Sequence, residues 1–336
     1  MTESKIALPT HHRPGGGFQN PWPSSQMHGI VDFLKWSLIE RRQNPRRADP
    51  DPRTFTRATP EYIVPRAAPE QFTVTWVGHT SFLLQIAGLN VLTDPVWSDR
   101  ASPVQFVGPR RWVPPAIDFE RLPPIDAVIL SHDHYDHLDS STVSHLSARY
   151  PAARWYAPLG VAEFLRRHGS RDITESDWWD ESEFGDLRLT CVPAQHFSGR
   201  RIGRRNNTLW SGWALHSPWR SILFAGDTAL HPEFEVIGRR CGPFDVAILP
   251  IGAYEPRWFM GSVHMNPEDC AKALGQLDRA QTGKPIVVAA AHWGTFKLTD
   301  EPMNEPPQKM RDVWRAEGRN EEQLWIFRHG ETRSMR

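Results

Sequence analysis

The six residues His132-Asp133-His134-Tyr135-Asp136-His137 constrain this chain more than any other feature. An apolar run, Ala127 to Leu130, leads straight into them. Zinc takes imidazole nitrogens and carboxylate oxygens in roughly tetrahedral sets. Two histidines at i and i+2 of an extended loop can point the same way and grip one ion. Asp136 and His137, on the tightening turn that follows, can face a second. Three lone ligand types recur in equivalent places: His196 after LTCVPA, Asp227 after SILFAG and His292 after IVVAAA. A single histidine at a strand end is usually structural. Three such residues behind an H-x-H-x-D-H read as one ligand set gathered above a sheet.

The flanking pattern agrees. FTVTWVG, SFLLQIAG and NVLTDP read as consecutive strands, with a turn near Ala87-Gly88-Leu89-Asn90. RLTCVPAQHF, SILFAGD, DVAILPIG and PIVVAAAHWG each end an apolar strand in a polar or glycine-containing loop. Helices are expected around Ser140 to Tyr150, Gly160 to His168 and Pro267 to Leu277. Strands interleaved with helices indicate a layered α/β fold whose loops carry the chemistry.

Composition removes several classes. Lys+Arg and Asp+Glu are both 39, so no basic excess favours nucleic acid. Cys191, Cys241 and Cys270 are odd in number and widely spaced, which suits a reducing cytoplasm better than a disulfide framework. No apolar run approaches roughly 18 residues, so no membrane span is expected. The first 67 residues differ from the rest and read as an N-terminal extension to a hydrolase domain over 68–336. Within them, Ile30, Phe33, Leu34, Ser37 and Leu38 fall roughly on one helical face. That helix either packs on the main domain or lies on a membrane surface. Trp36 and the basic tail Arg41, Arg42, Arg46 and Arg47 suit the second reading.

The order H-x-H-x-D-H, then a His, an Asp and a last His resembles the metallo-β-lactamase superfamily. GGFQNPWP, TWVGHTSFLL, LTDPVWSDRASP, FAGDT, GPFDVAILPIGAYEPRWFM and HWGTF extend the likeness to the N-acyl-phosphatidylethanolamine-hydrolysing phospholipase D family. The likeness runs from about Gly16 to Glu331. It implies an αββα sandwich of two mixed β-sheets flanked by helices. It implies two zinc ions: one on His132, His134 and His196, the other on Asp136, His137 and His292, with Asp227 bridging. A metal-bridging hydroxide would attack the phosphodiester. Asp136 and His264 would be catalytic, and His264 and Tyr254 would touch substrate. The alternative is that His264 merely caps the helix from Pro267. The implied substrate is N-acyl-phosphatidylethanolamine, cut to an N-acylethanolamine and phosphatidic acid. Cyclic nucleotides and other small phosphodiesters are the alternative. The likeness leaves a homodimer and a peripheral membrane contact through 30–42 open.

Neighbouring residues carry further expectations. Asp94 would orient a ligand imidazole or cap a turn before Pro95. His79 would lie near the metals without ligating them. Arg200, Arg201, Arg204 and Arg205 would attract an anionic headgroup or form a solvated loop. Trp178, Trp179 and Cys191 would pack in the core. Arg328-His329-Gly330 copies a phosphatase motif but has too little chain after it to serve as one. A di-iron redox relative would carry a carboxylate at His134. A nuclease relative would need an inserted domain in the 292 − 227 = 65 residues before the last ligand. A scaffold relative would have lost ligands that this chain keeps.

Overall fold

The computed structural model describes residues 9–22, 28–43, 45–200, 205–281 and 284–335. Among these, two seven-stranded mixed sheets lie face to face. The first holds β1 (Thr73–Gly78), β2 (Ser81–Ile86), β3 (Leu89–Thr93), β4 (Ala127–Ile129), β5 (Arg154–Pro158), β6 (Asp172–Ser176) and β14 (Thr332–Ser334), in the order β14-β1-β2-β3-β4-β5-β6. The second holds β7 (Glu181–Phe184), β8 (Leu187–Val192), β9 (Gly212–His216), β10 (Ser221–Phe224), β11 (Val246–Pro250), β12 (Val287–Ala291) and β13 (Leu324–Trp325), in the order β13-β12-β11-β10-β9-β8-β7. Each is antiparallel on one side and parallel on the other.

The central strands are buried along their whole length, which is why they read as continuous apolar runs. Successive side chains still serve opposite faces. Phe82 and Leu84 of β2 enter the core between the sheets, while Leu83 enters a second core beneath the helices. That second core receives Val143 and Leu146 of α3 (Ser140–Arg149) and Leu165 of α4 (Ala162–Arg167). On the opposite side, α5 (Glu233–Cys241), α7 (Pro267–Ala280) and α8 (Glu305–Ala316) contribute Phe234, Leu277 and Trp314. This is the αββα sandwich that the resemblance implied. Truncating one such core Leu to Ala costs about 2–5 kcal/mol. The Trp213 indole N–H of β9 donates to the Leu130 carbonyl at 2.8 Å, tying the sheets together just before His132.

The N-terminal segment joins this body. Phe18 enters the inter-sheet core. The expected helix forms as α1 (Ile30–Leu34), a wider π winding over Lys35–Glu40, and the short α2 (Arg41–Gln43). Of its two expected readings, an apolar stripe laid on the domain is not the one that forms. The buried residue is Trp36, whose indole N–H reaches Asp300 at 2.5 Å, while Val31, Phe33, Leu34, Leu38 and Ile39 face outward. The π winding has more residues per turn than an α-helix, so it shifts the residues after Lys35 off the face that an α period projects. Arg41 also pairs with Asp300, at 3.0 Å.

Trp178 and Cys191 pack as expected. His329 sits buried against Trp76 in the connection from β13 to β14. No helix among the described residues is long and apolar enough to cross a membrane.

Candidate metal centre

All the candidate ligands leave the same edge of the sandwich. The 131–137 loop follows β4, His196 follows β8, Asp227 follows β10 and His292 follows β12. Two features of the backbone force the convergence. Gly226 has φ +61, and a Cβ there would stand 2.5 Å from the Ser131 Cβ. Only glycine lets Asp227 approach the 131–137 loop that closely. His79, Asp94 and His292 also adopt left-handed φ values of 57°, 33° and 61°. Such backbone costs about 1–3 kcal/mol per residue and collects at functional sites. The His292 N–H donates to the His79 carbonyl at 3.1 Å, so two of these strained residues brace each other.

The side chains form two adjoining groups. His132 Nε2 lies 2.8 Å from His134 Nδ1, and His196 Nε2 lies 3.2 Å from the same atom. His137 Nε2 stands 3.3 Å from Asp136 Oδ2, and His292 Nε2 stands 3.5 Å from it. Asp227 Oδ2 lies between the groups, 3.1 Å from His137, 2.9 Å from His292 and 3.9 Å from His196. His137 Nε2, His292 Nε2 and Asp227 Oδ1 are buried without hydrogen-bond partners. Buried polar atoms normally have partners. A bound cation would satisfy these unpartnered atoms, and a set of imidazole nitrogens and carboxylate oxygens within 4.8 Å of one another suits zinc.

Charge follows the same division. Burial, reinforced by neighbouring imidazoles, pushes His134 down to about 3 and His132 well below the usual range. A neutral imidazole keeps one nitrogen lone pair available to a cation. Burial also opposes the charge on Asp136 and Asp227, but His137 and His292 hold both well below the ordinary carboxylate range.

A further layer aims these groups. Asp94 accepts from His137 Nδ1 at 2.7 Å, from the Ser131 N–H at 2.7 Å and from the Ser131 hydroxyl at 2.5 Å. Of its two expected roles, it takes the one that orients an imidazole. The His196 Nδ1–H donates to the Val263 carbonyl at 2.9 Å, which leaves Nε2 facing the centre. His79 Nε2 lies 2.9 Å from Asp136 Oδ2, beside the ligand group and hydrogen-bonded to it.

A cavity of about 150 Å³ opens over His134, Asp136 and Asp227. His264 lines it, with Nδ1 unpartnered and 3.9 Å from Asp227 Oδ2. The helix-cap alternative for His264 fails, because Asn266 caps α7 by accepting from the Asp269 N–H. Arg257, in the short α6 (Arg257–Met260), holds the His264 carbonyl at 2.9 Å and Asp269 at 2.6 Å. The expectation for Tyr254 is corrected. Its ring is buried and its hydroxyl donates to Glu305 at 2.8 Å, away from the cavity walls. Glu301 draws that segment inward by accepting from the Ala253, Tyr254 and Glu255 N–H groups.

Arg200 is corrected too. It is a strut, stacked over Tyr135 and Phe164 and donating to the Asp133 and Leu138 carbonyls. Arg205 alone of the described arginines in that loop reaches the cavity mouth, donating to the His28 carbonyl at 2.9 Å. Arg201 and Arg204 lie outside the described residues. The apolar wall of Phe197, Phe259, Met260, Val263 and Leu298 carried no mark in the sequence that separated it from core.

A family model for the beta-lactamase superfamily domain matches residues 89–288. The chain belongs to the beta-lactamase superfamily. It is 42% identical over 300 residues to an uncharacterized protein of Mycobacterium tuberculosis, covering 88% of this chain and 77% of that one. It is 41% identical over 253 residues to N-acyl-phosphatidylethanolamine-hydrolyzing phospholipase D 1 of Caenorhabditis elegans, covering 72% of this chain and 69% of that one. The crystal structure of isothiocyanate hydrolase from Delia radicum gut bacteria superposes with a TM-score of 0.60 over 78% of this chain and 99% of that one, at 22% identity. That likeness speaks to the fold. This beta-lactamase superfamily member is a metal-dependent hydrolase.

Proposed function

We propose that the protein is a zinc-dependent phosphodiesterase of the phospholipase D type. It hydrolyses N-acyl-phosphatidylethanolamine, releasing an N-acylethanolamine and leaving phosphatidic acid. One observation carries the reading: the cavity over the ligand cluster has an apolar wall, and its Phe259 packs against the helix that exposes Val31, Leu38 and Ile39. The Caenorhabditis elegans relative, named for this reaction, supports it.

His132, His134 and His196 would hold one zinc ion, Asp136, His137 and His292 the other, with Asp227 shared. Zinc bound there would supply an activated water near neutral pH and positive charge for the phosphoryl oxygens. Asp94 and His79 keep His137 and Asp136 in place. His264 faces the space beside Asp227 and donates to a phosphoryl oxygen. Arg257 fixes the backbone that carries it. Arg205, at the mouth, attracts the anionic headgroup.

The cavity is small. Pockets for drug-sized ligands run to about 300–1,000 Å³. A lipid with three acyl chains therefore leaves its tails outside. Phe259 lines the cavity and packs 5.1 Å from Trp36 and 6.5 Å from Phe33, so the helical segment from Ile30 lies against the cavity wall. Val31 is 75% exposed, and Leu38 and Ile39 are each 53% exposed. These side chains enter the bilayer interface while the headgroup reaches the centre. The three unpaired cysteines suit a cytoplasmic setting for this peripheral contact. The same small cavity favours a second reading, in which cyclic nucleotides or other tail-free phosphodiesters are cleaved.

The test uses zinc-loaded protein with N-acyl-phosphatidylethanolamine vesicles, 2′,3′-cyclic AMP and bis(p-nitrophenyl) phosphate. Release of N-acylethanolamine and phosphatidic acid is expected. Cleavage of the nucleotide alone would overturn the lipid reading.

A further inference from the structure

The adjacent histidines His11 and His12 take no part in the centre described above. They sit just before the glycine run Gly15 to Gly17, and the turn it makes pairs His12 with Phe18 across a short bridge. That turn points both imidazoles at one carboxylate. His11 Nε2 lies 2.7 Å from Asp177 Oδ1, and His12 Nε2 lies 2.7 Å from Asp177 Oδ2. The two rings are 4.6 Å apart and inclined at 69°, so their ring nitrogens converge without the rings stacking.

The surroundings hold this geometry. His11 stacks on Trp178 at 4.2 Å, and Trp178 stacks on Trp22 at 5.7 Å. The Trp178 N–H donates to Asp177 Oδ1 at 2.8 Å. Among the described residues, both ion pairs of Asp177 are with these histidines and neither is with a lysine or arginine. His11 is nearly buried, whereas the side chains of His12 and Asp177 are 21% and 22% exposed. Water can therefore complete a coordination shell on the open side.

We propose that His11, His12 and Asp177 form a further metal site, separate from the hydrolytic centre, that takes a borderline divalent cation such as Zn²⁺. Two imidazole nitrogens, one carboxylate oxygen and a water make a tetrahedral set that zinc accepts. Zinc–ligand bonds of about 2.0–2.2 Å put neighbouring ligand atoms roughly 3.3–3.5 Å apart. The contacts of His11 with Oδ1 and of His12 with Oδ2, each 2.7 Å, would lengthen by less than about 1 Å as the ion enters. The 2.8–3.3 Å contacts inside the hydrolytic centre are compressed to a similar degree. The role is to pin a strap. Asn20, nine residues after His11, donates to the His196 carbonyl at 2.8 Å. An ion at His11 and His12 fixes the segment that holds this backbone.

The inference does not depend on the phosphodiesterase reading, and its test needs no substrate. The full chain is dialysed to equilibrium against Zn²⁺ alone and the bound metal is counted by mass spectrometry. The comparison is with Asp177→Asn, which keeps hydrogen bonds to both histidines but removes the anionic ligand. A second variant, H11Q/H12Q, checks the nitrogens. Each variant should bind one ion fewer per chain than the wild type. A double variant of the main centre, H132A/H137A, should still hold the strap ion, and Asp177→Asn added to it should remove that ion. Equal counts for the wild type and Asp177→Asn at every zinc concentration would overturn the proposal. So would an ion that survives H11Q/H12Q.

Discussion

At the floor of the cavity, His137 and His196 are fully enclosed and Asp227 and His292 are barely exposed, yet several of their polar atoms lack partners. At its rim the balance reverses: Val31, Leu34, Leu38 and Ile39 are apolar and open to solvent. Each region violates the usual rule of burial in its own direction. Buried polar groups without partners ask for a cation. Exposed apolar side chains grouped on one short helical segment suit another apolar phase. The two violations meet at Phe259, which lines the cavity and packs against Trp36. The proposed substrate answers both, with a phosphoryl group at one end and hydrocarbon at the other.

The predictions separate floor from rim. Asp227→Asn should abolish most turnover on every phosphodiester, by roughly three or more orders of magnitude, while circular dichroism shows the fold intact. Full turnover in that variant would remove the shared-ligand account. Asp94→Asn acts one layer back, through His137. It should weaken metal affinity by about 10–100-fold, measured by chelator competition, and lower the turnover of lipid and small ester alike. The rim should behave differently. Leu34→Asp combined with Leu38→Asp should lose most vesicle co-sedimentation and lower lipid turnover by about tenfold, because burying a charge in the interface costs more than about 1.4 kcal/mol. Hydrolysis of bis(p-nitrophenyl) phosphate should stay unchanged. Equal losses on both substrates would mean that the rim is part of the floor. The smallest effect belongs to the joint between them. Trp36→Phe removes the N–H donated to Asp300 and should cost about 1 kcal/mol in chemical denaturation.

The same contrast explains what the sequence made legible. The floor is built from short-range patterns, with ligand types at strand ends, so His132 to His137, His196, Asp227 and His292 could be named before any coordinates. The strands behind them are buried on both faces and announced themselves as apolar runs. Edge strands did not. β6 and β7, with DITES and ESEF, are half exposed and carry no apolar run. Helix α5 was obscured by Gly238, which is there because a Cβ would stand 2.6 Å from the Ala280 Cβ of α7. The rim was only partly legible: projection at an α-helical period grouped Phe33, Leu34 and Leu38 but did not single out Trp36, whose burial rests on contacts with the distant Asp300 and Phe259. Tyr254 shows the limit of transferring a role by motif. Its burial is set by Glu301, a residue 47 positions away that no local pattern connects to it.

The proposed centre is a pair of ions on the floor, sharing Asp227. Anomalous diffraction at the zinc edge from crystals of the zinc-loaded protein tests it most directly. Two peaks are expected there, one among His132, His134 and His196 and one among Asp136, His137 and His292, each within bonding distance of Asp227. A single peak on the floor, or two peaks with Asp227 bound to neither, would contradict it.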